Sequence, residues 1–386
     1  MTMRSPRSLC VGLALALCGE LFGWRGAGAQ TTGADGDPRQ AQPLVEQRIK
    51  IPSSVPGLFG ARTYNLDALL VRPATRDPLP LAVITHGTPR EAADRRKMQI
   101  EGFARVARDF ARRGWVAVVV MRRGHGASEG EYEEGMNCAN PDYVHSGRIA
   151  IYDLDNAVRH LSARPDVDPS RVIGIGQSTG GFAWLAVSSR PPPNLRAVIN
   201  FAGGHGSLRP YENCSASNMA AAMREFGKTS RIPTLWIYAE NDTYVVPDLA
   251  CRMYDAFVGA GGSAELKQVP PFETDGHPLF LRVEGAQVWT PLVDAFLRQH
   301  ALPTWSVEAT HRELLPQTGG HRDHYDRYLR ASAEKAYAIA LDGTYDWWWS
   351  GQTTVEEAKR KALEKCEDGV RTCRIFAVNF GVVAAP

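Results

Sequence analysis

At 386 residues, 44% apolar and 22% charged, the chain has the composition of a globular protein long enough for one large domain and an appendage, which excludes disordered and collagen-like classes. A net charge of +2, with Lys and Arg scattered rather than set in a stripe with aromatics, excludes the electrostatic footprint of a nucleic-acid binder.

Residues 1–29 read as a secretory signal. Arg4 and Arg7 precede the apolar run Leu9–Leu17, and Ala27-Gly28-Ala29 is a small-residue cleavage site. The run is shorter than the ~20 residues a spanning helix needs, and no transmembrane segment is expected elsewhere. The mature chain is therefore expected to be exported, to the periplasm or outside the cell. Residues 30–45 are polar and read as a flexible leader.

From 46 to 300 strand-like and helix-like segments alternate. Strands are expected at Asn65–Val71, Leu81–Thr85, Trp115–Met121, Arg171–Gly176, Leu195–Phe201, Thr234–Ala239 and Ala264–Val269. Helices are expected at Gln99–Arg113, Ile149–Leu161, Thr179–Ser189, Asp248–Val258 and Val283–Leu297. Repeated β-α-β units predict an α/β domain with a mostly parallel central sheet flanked by helices, whose ligands meet the carboxyl ends of the strands.

Residues 301–322, with Pro303, Pro316 and Gly319-Gly320, read as a linker. Residues 323–386 read as a small α+β C-terminal domain. It has a helix near Tyr325–Ala333, a strand at Ala336–Leu341, a hairpin turn at Asp342-Gly343 and an aromatic strand through Trp347-Trp348-Trp349. A capping box at Thr354 and Glu357 opens a second helix, and a strand closes at Arg374–Val382. Three adjacent Trp on a strand cannot all face one core, so at least one points outward and offers a contact for a glycan or a protein.

Export makes disulfides permissible. Cys366 and Cys373 flank a turn and are expected to pair. Cys138 and Cys214 lie in two post-strand loops, Gly130–Ser146 and Gly203–Ser215, which would form a partial lid if bridged. Cys251 lies in a helical pattern and reads as a buried free thiol. No cysteine has metal-ligand spacing, and no metal or cofactor is expected.

Gly176-Gln177-Ser178-Thr179-Gly180 follows an apolar strand and opens a helix, which is the context of a nucleophile elbow. The turn must be sharp enough to lift the serine hydroxyl clear of the sheet, and side chains at positions 176 and 180 would collide within it. A serine needs a base, and the base needs an orienting acid. Asp242 follows the strand Thr234–Ala239, and His277 follows the last strand, in the chain order Ser, Asp, His. Glu240 is the rival acid, and Asp275 lies too close along the chain to His277 to buttress its ring.

An oxyanion hole needs two preorganised N–H donors. The backbone N–H of Thr179 is one, and Thr88, after the His86-Gly87 strand end, supplies the other. His86 reads as structural, while His125 and His205 sit in Gly-rich loops from which they can line the pocket.

Leu81–Thr88, Arg123-Gly124-His125-Gly126-Ala127-Ser128, the elbow with Gly181 after it, Asp242 and Asp275-Gly276-His277 together resemble the dienelactone-hydrolase-like and prolyl-oligopeptidase-like branch of α/β hydrolases, across residues 60–300. The resemblance implies the α/β-hydrolase fold. Dienelactone hydrolases use a cysteine nucleophile, whereas this chain has Ser178, which favours ordinary ester hydrolysis on a small-molecule ester or acyl substrate. A serine peptidase or amidase is the alternative, and a hydrolase-like fold that only binds is a third. The C-terminal unit resembles small cysteine-paired domains of exported bacterial proteins.

Overall fold

The computed structural model describes residues 42–57, 60–304, 315, 320–367 and 369–383. The expected signal, most of the leader and most of the linker lie outside these residues.

Among the described residues, ten strands precede the C-terminal unit: β1 (Leu44–Val55), β2 (Arg62–Pro73), β3 (Leu79–Thr85), β4 (Val116–Val120), β5 (Val167–Gln177), β6 (Leu195–Phe201), β7 (Ser207–Arg209), β8 (Glu212–Asn213), β9 (Thr234–Ala239) and β10 (Ala264–Val269). Eight of them form one sheet in the order β1-β2-β4-β3-β5-β6-β9-β10, while β7 and β8 pair separately. Only β2 runs against the rest, antiparallel to both β1 and β4. The other pairings are parallel, from β4 across to β10.

The reason is legible in β4, whose five residues Val-Ala-Val-Val-Val are all buried, as a strand covered on both faces must be. Val118 and Val120 join one core with Val83, and Ala117 and Val119 join the other with Ala82 and Ile84. Helices α1 (Ala92–Arg96), α2 (Ala104–Ala111), α3 (Tyr143–Ser162), α4 (Thr179–Ser188), α5 (Ala216–Gly227), α6 (Pro247–Gly259) and α7 (Ala286–Gln299) complete this part. Residues of α3, α4, α5 and α6 fill the first core, and those of α2 and α7 the second.

The small C-terminal sheet is antiparallel. It follows α8 (His321–Arg330) and comprises β11 (Ala336–Ala340), β12 (Asp346–Trp349), β13 (Cys373–Val378) and β14 (Gly381–Val382), with α9 (Val355–Glu367) between β12 and β13. The strand order is β12-β11-β13-β14. Alternation along β11 sorts its two faces. Tyr337 and Ile339 pack with Tyr325 and Tyr328 of α8, while Ala336, Ala338 and Ala340 meet Ala358 and Ala362 of α9. Gly343 turns the hairpin at φ 69°, and the Thr354 hydroxyl accepts the N–H of Glu357 at 3.2 Å to cap α9.

Cys138 is bonded to Cys214, and Cys366 to Cys373. Cys251 is buried on α6 but is not a free thiol, being disulfide-bonded. Of the three tryptophans, Trp347 is the outward one, 39% exposed and stacked on Tyr345. Trp348 meets Tyr328, and Trp349 lies under Lys361.

The small sheet docks on the α2 and α7 side. Arg112 Nε donates to Glu334 at 2.8 Å with both side chains buried, the Ala333 N–H donates to Asp109, and Arg105 donates to Ser332 at 2.7 Å.

Several elements differ from those expected. β1 was not expected, because Glu46, Arg48, Lys50 and Pro52 break an apolar pattern on what is an edge strand. The expected helix Gln99–Arg113 is a 3₁₀ turn at Ile100–Phe103 followed by α2. The loop after β6 also holds the β7–β8 ribbon, and α5 follows it.

Candidate active site

The carboxyl ends of β3, β4, β5, β6, β9 and β10 converge on Ser178. The serine lies between β5 and α4 at φ 56° and ψ −125°, a conformation that L residues adopt only under constraint. The constraint is steric. A Cβ at position 176 would come within 2.2 Å of the Gly180 carbonyl oxygen, and one at 180 within 2.6 Å of the His86 oxygen. Glycine at both positions lets β5 turn directly into α4 while α4 lies against the end of β3. Gln177 and Thr179 on either side are buried, whereas Ser178 is partly exposed.

Asp242 is buried in the turn after β9. Its Oδ1 accepts the N–H groups of Tyr244 and Val245, each at 2.8 Å. Both of its carboxylate oxygens lie 3.0 Å from His277 Nδ1. That fixes Nδ1 as the protonated nitrogen and leaves the Nε2 lone pair free to accept a proton. Asp275 holds the loop, accepting the N–H of His277 at 3.0 Å and both the N–H and hydroxyl of Thr243. Tyr244 packs on the imidazole with centroids 4.8 Å apart, and the His277 carbonyl accepts from Gln177, next to the serine, at 3.2 Å. Glu240 is exposed and does not reach the ring. The structure thus brings Asp242 and His277 together and ties their loop to the elbow, while the Ser178 hydroxyl is not hydrogen-bonded to His277. Such contacts are commonly long before substrate arrives.

Gly87 packs against Ser178, since a Cβ there would lie 2.9 Å from the serine Cβ. Thr88 follows it. Thr179 opens α4, so its N–H has no partner within the helix. The side chains of these two residues meet, Oγ1 to Oγ1, at 2.7 Å.

Beneath them lies a residue that the sequence reading passed over. Arg122, fully buried at the end of β4, donates from Nη2 to Thr88 Oγ1 at 3.2 Å and Thr179 Oγ1 at 3.1 Å. From Nη1 it reaches Thr85 Oγ1 and the His86 carbonyl. Its charge is met by Glu134, at 2.6 Å from Nε and 3.1 Å from Nη2. Burial raises the Glu134 carboxyl, but Arg122 outweighs it and leaves the group below its ordinary range. The signal available in sequence was an Arg pair, Arg122-Arg123, directly after an all-apolar strand.

The three rival histidines take distinct places. His86 accepts the Arg122 N–H at Nε2 and faces the Gly87 carbonyl with Nδ1, so it is structural. His125 touches Thr88 Oγ1 through Nε2 at 3.1 Å. Burial, then the neighbouring Arg122 charge, lowers it to about 4. His205 is buried between Tyr143 and Phe182 with neither ring nitrogen hydrogen-bonded, and burial lowers it also to about 4. No group of three metal-ligating side chains occurs among the described residues.

Residues 63–218, which include Thr88, Arg122 and the elbow, match the family of X-Pro dipeptidyl-peptidases called S15. The strand order, with its single reversed strand and a sharp serine turn after the fifth strand, is that of the α/β-hydrolase fold. The chain has the α/β-hydrolase fold. Similar solved structures include a protein described as a dienelactone hydrolase from Klebsiella pneumoniae, 20% identical, covering 67% of this chain and 100% of that one with a TM-score of 0.46. An esterase of Pyrococcus furiosus is 14% identical, covering 70% and 95% with a TM-score of 0.46. An esterase of Pyrobaculum calidifontis is 17% identical, covering 69% and 89% with a TM-score of 0.45. No helix among the described residues of this chain is long and apolar enough to cross a membrane.

Proposed function

We propose that this α/β hydrolase is an exported serine hydrolase that cleaves carboxylic esters through an acyl-enzyme. The observation that carries the reading is the Asp242–His277 pair, held at the strand ends beside a serine in the strained elbow conformation. His277 Nε2 takes the proton of Ser178 Oγ as that oxygen attacks the substrate carbonyl carbon. Asp242 holds the imidazole in the required tautomer and stabilises the imidazolium. The N–H groups of Thr88 and Thr179 receive the oxyanion. Collapse expels the alcohol, which takes the proton from His277. A water molecule activated by the same histidine then releases the acid.

The match of residues 63–218 to a peptidase family supports a second reading, a serine peptidase or amidase working with the same groups. Export rests on the sequence of residues 1–29 and is compatible with the Cys138–Cys214 and Cys366–Cys373 disulfides. The exposed Trp347 with Tyr345 is the surface on which a glycan or protein contact would be sought.

Wild type and Ser178→Ala are to be compared on p-nitrophenyl esters of varied chain length and on peptide anilides. Ester hydrolysis lost in the variant supports the first reading, and Ser178-dependent cleavage of anilides alone supports the second. Equal ester hydrolysis by both proteins overturns the serine mechanism.

A further inference from the structure

The two N–H groups assigned to the oxyanion come from different elements, the loop after β3 and the first turn of α4. Neither element fixes their separation by itself. Besides the packing of α4 on the end of β3, side chains bridge the two, and their hydrogen bonds run in one determined direction.

His125 Nδ1 faces two carbonyl oxygens, Arg123 at 3.0 Å and Arg122 at 3.3 Å, so that nitrogen carries the hydrogen. In the neutral ring Nε2 is then an acceptor, and the Thr88 hydroxyl must donate to it. With its hydrogen spent, Thr88 Oγ1 can only accept from Thr179, so the 2.7 Å contact is Thr179 donating to Thr88. Both oxygens also accept from Arg122 Nη2. All of the Arg122 donor nitrogens are engaged, and Glu134 balances the charge. Such a network specifies one geometry only when every member is satisfied.

We propose that Arg122, clamped by Glu134, is the positioning residue for the oxyanion hole, holding Thr88 and Thr179 at a fixed separation through their hydroxyls. This rests on the serine-hydrolase reading. Arg122 does not touch substrate. It acts by setting where the two backbone donors point before the negative charge develops, which is what makes such donors effective. The Glu134 segment continues to Cys138, whose bond to Cys214 anchors it to the loop after β6.

The test uses the mature chain and the variants Thr88→Val, Thr88→Ser, Thr179→Val and Arg122→Lys. Active sites are counted by the end-point of a fluorophosphonate titration, so that loss of folded protein is not read as loss of rate. For each variant kcat and KM on a p-nitrophenyl ester are measured beside the Ki of a trifluoromethyl ketone, which mimics the oxyanion.

Removing a true oxyanion donor costs about 100- to 1000-fold in kcat, so loosening two donors in Arg122→Lys should cost roughly 100-fold and in Thr88→Val roughly 10-fold. KM should change little, Ki should weaken in step with kcat/KM, and Thr88→Ser, which keeps the hydroxyl, should lose much less than Thr88→Val. If Thr88→Val and Arg122→Lys keep kcat per titrated site within about twofold of wild type and only their melting temperatures fall, the network is structural and the proposal is wrong. If wild type neither reacts with fluorophosphonate at Ser178 nor cleaves ester or anilide, the serine-hydrolase reading fails and takes the proposal with it, an outcome distinct from the first.

Discussion

Asp242 sets both of its carboxylate oxygens 3.0 Å from Nδ1 of His277, while Glu240, two residues earlier, points to solvent. The difference arises at the end of β9. Asp242 turns inward because the N–H groups of Tyr244 and Val245 bind its Oδ1, and Glu240 has no such anchor.

Asp242→Asn is therefore expected to lower kcat by about 10⁴, because an amide can present its NH₂ to Nδ1 and favour the wrong tautomer. Glu240→Gln should leave kcat unchanged. Steady-state rates on a p-nitrophenyl ester check both, and a large loss in Glu240→Gln would move the acid to position 240.

Acid should destabilise the fold over a defined window. His125 and His205 are both lowered to about 4, chiefly by burial, from an ordinary value of 6.5. Between those values the unfolded chain binds protons that the folded one refuses, so stability rises with pH from 4 to 6.5 and falls on acidification. A shift of this size corresponds to at most about 3 kcal/mol for each group. Urea midpoints at pH 7, 6, 5 and 4.5 should decline, and His205→Phe, which keeps an aromatic ring between Tyr143 and Phe182, should decline less steeply. Midpoints flat from pH 7 to 4.5 would show these imidazoles protonate freely when folded.

The disulfides Cys138–Cys214 and Cys366–Cys373 should contribute unequally. Cys138 and Cys214 are 76 residues apart, against 7 for Cys366 and Cys373. On the chain-entropy account the longer loop contributes about 4 kcal/mol and the shorter about 2 kcal/mol. Calorimetry on Cys138→Ala/Cys214→Ala and Cys366→Ala/Cys373→Ala should show the larger drop for the first pair. An equal or reversed order would mean that the Gly130–Ser146 loop is held by other contacts, such as Glu134 to Arg122.

Much of the sheet was legible because parallel strands buried on both faces appear as unbroken apolar runs, as at Val116–Val120 and Leu195–Phe201. The elbow was legible because steric crowding leaves glycine little alternative at 176 and 180. β1 was not, since an edge strand tolerates the charges that hide it. Arg122 and Glu134 were hidden for a different reason. Charged residues are rarely buried unless paired, and a partner twelve positions away across a loop leaves no periodic trace. The polar layer under the site could be read only once the β4 end and that loop were brought together.

The contact between the two sheet-bearing parts supplies a last test. Arg112 on the α2 side and Glu334 before β11 are both buried and joined at 2.8 Å. Removing one charge of a buried ion pair costs about 3–5 kcal/mol. Glu334→Gln should therefore lower the denaturation midpoint markedly, while Glu356→Gln, which breaks an exposed pair with Lys359, should change it by less than about 1 kcal/mol. Activity per folded molecule should survive in both, because the docking contacts lie on α2 and the groups proposed to be catalytic lie at the strand ends. A Glu334→Gln protein as stable as wild type would show that Arg112 is satisfied without its carboxylate, and that the two parts are held by other contacts, among them Asp109 with Ala333, Arg105 with Ser332 and Gln287 with Arg327.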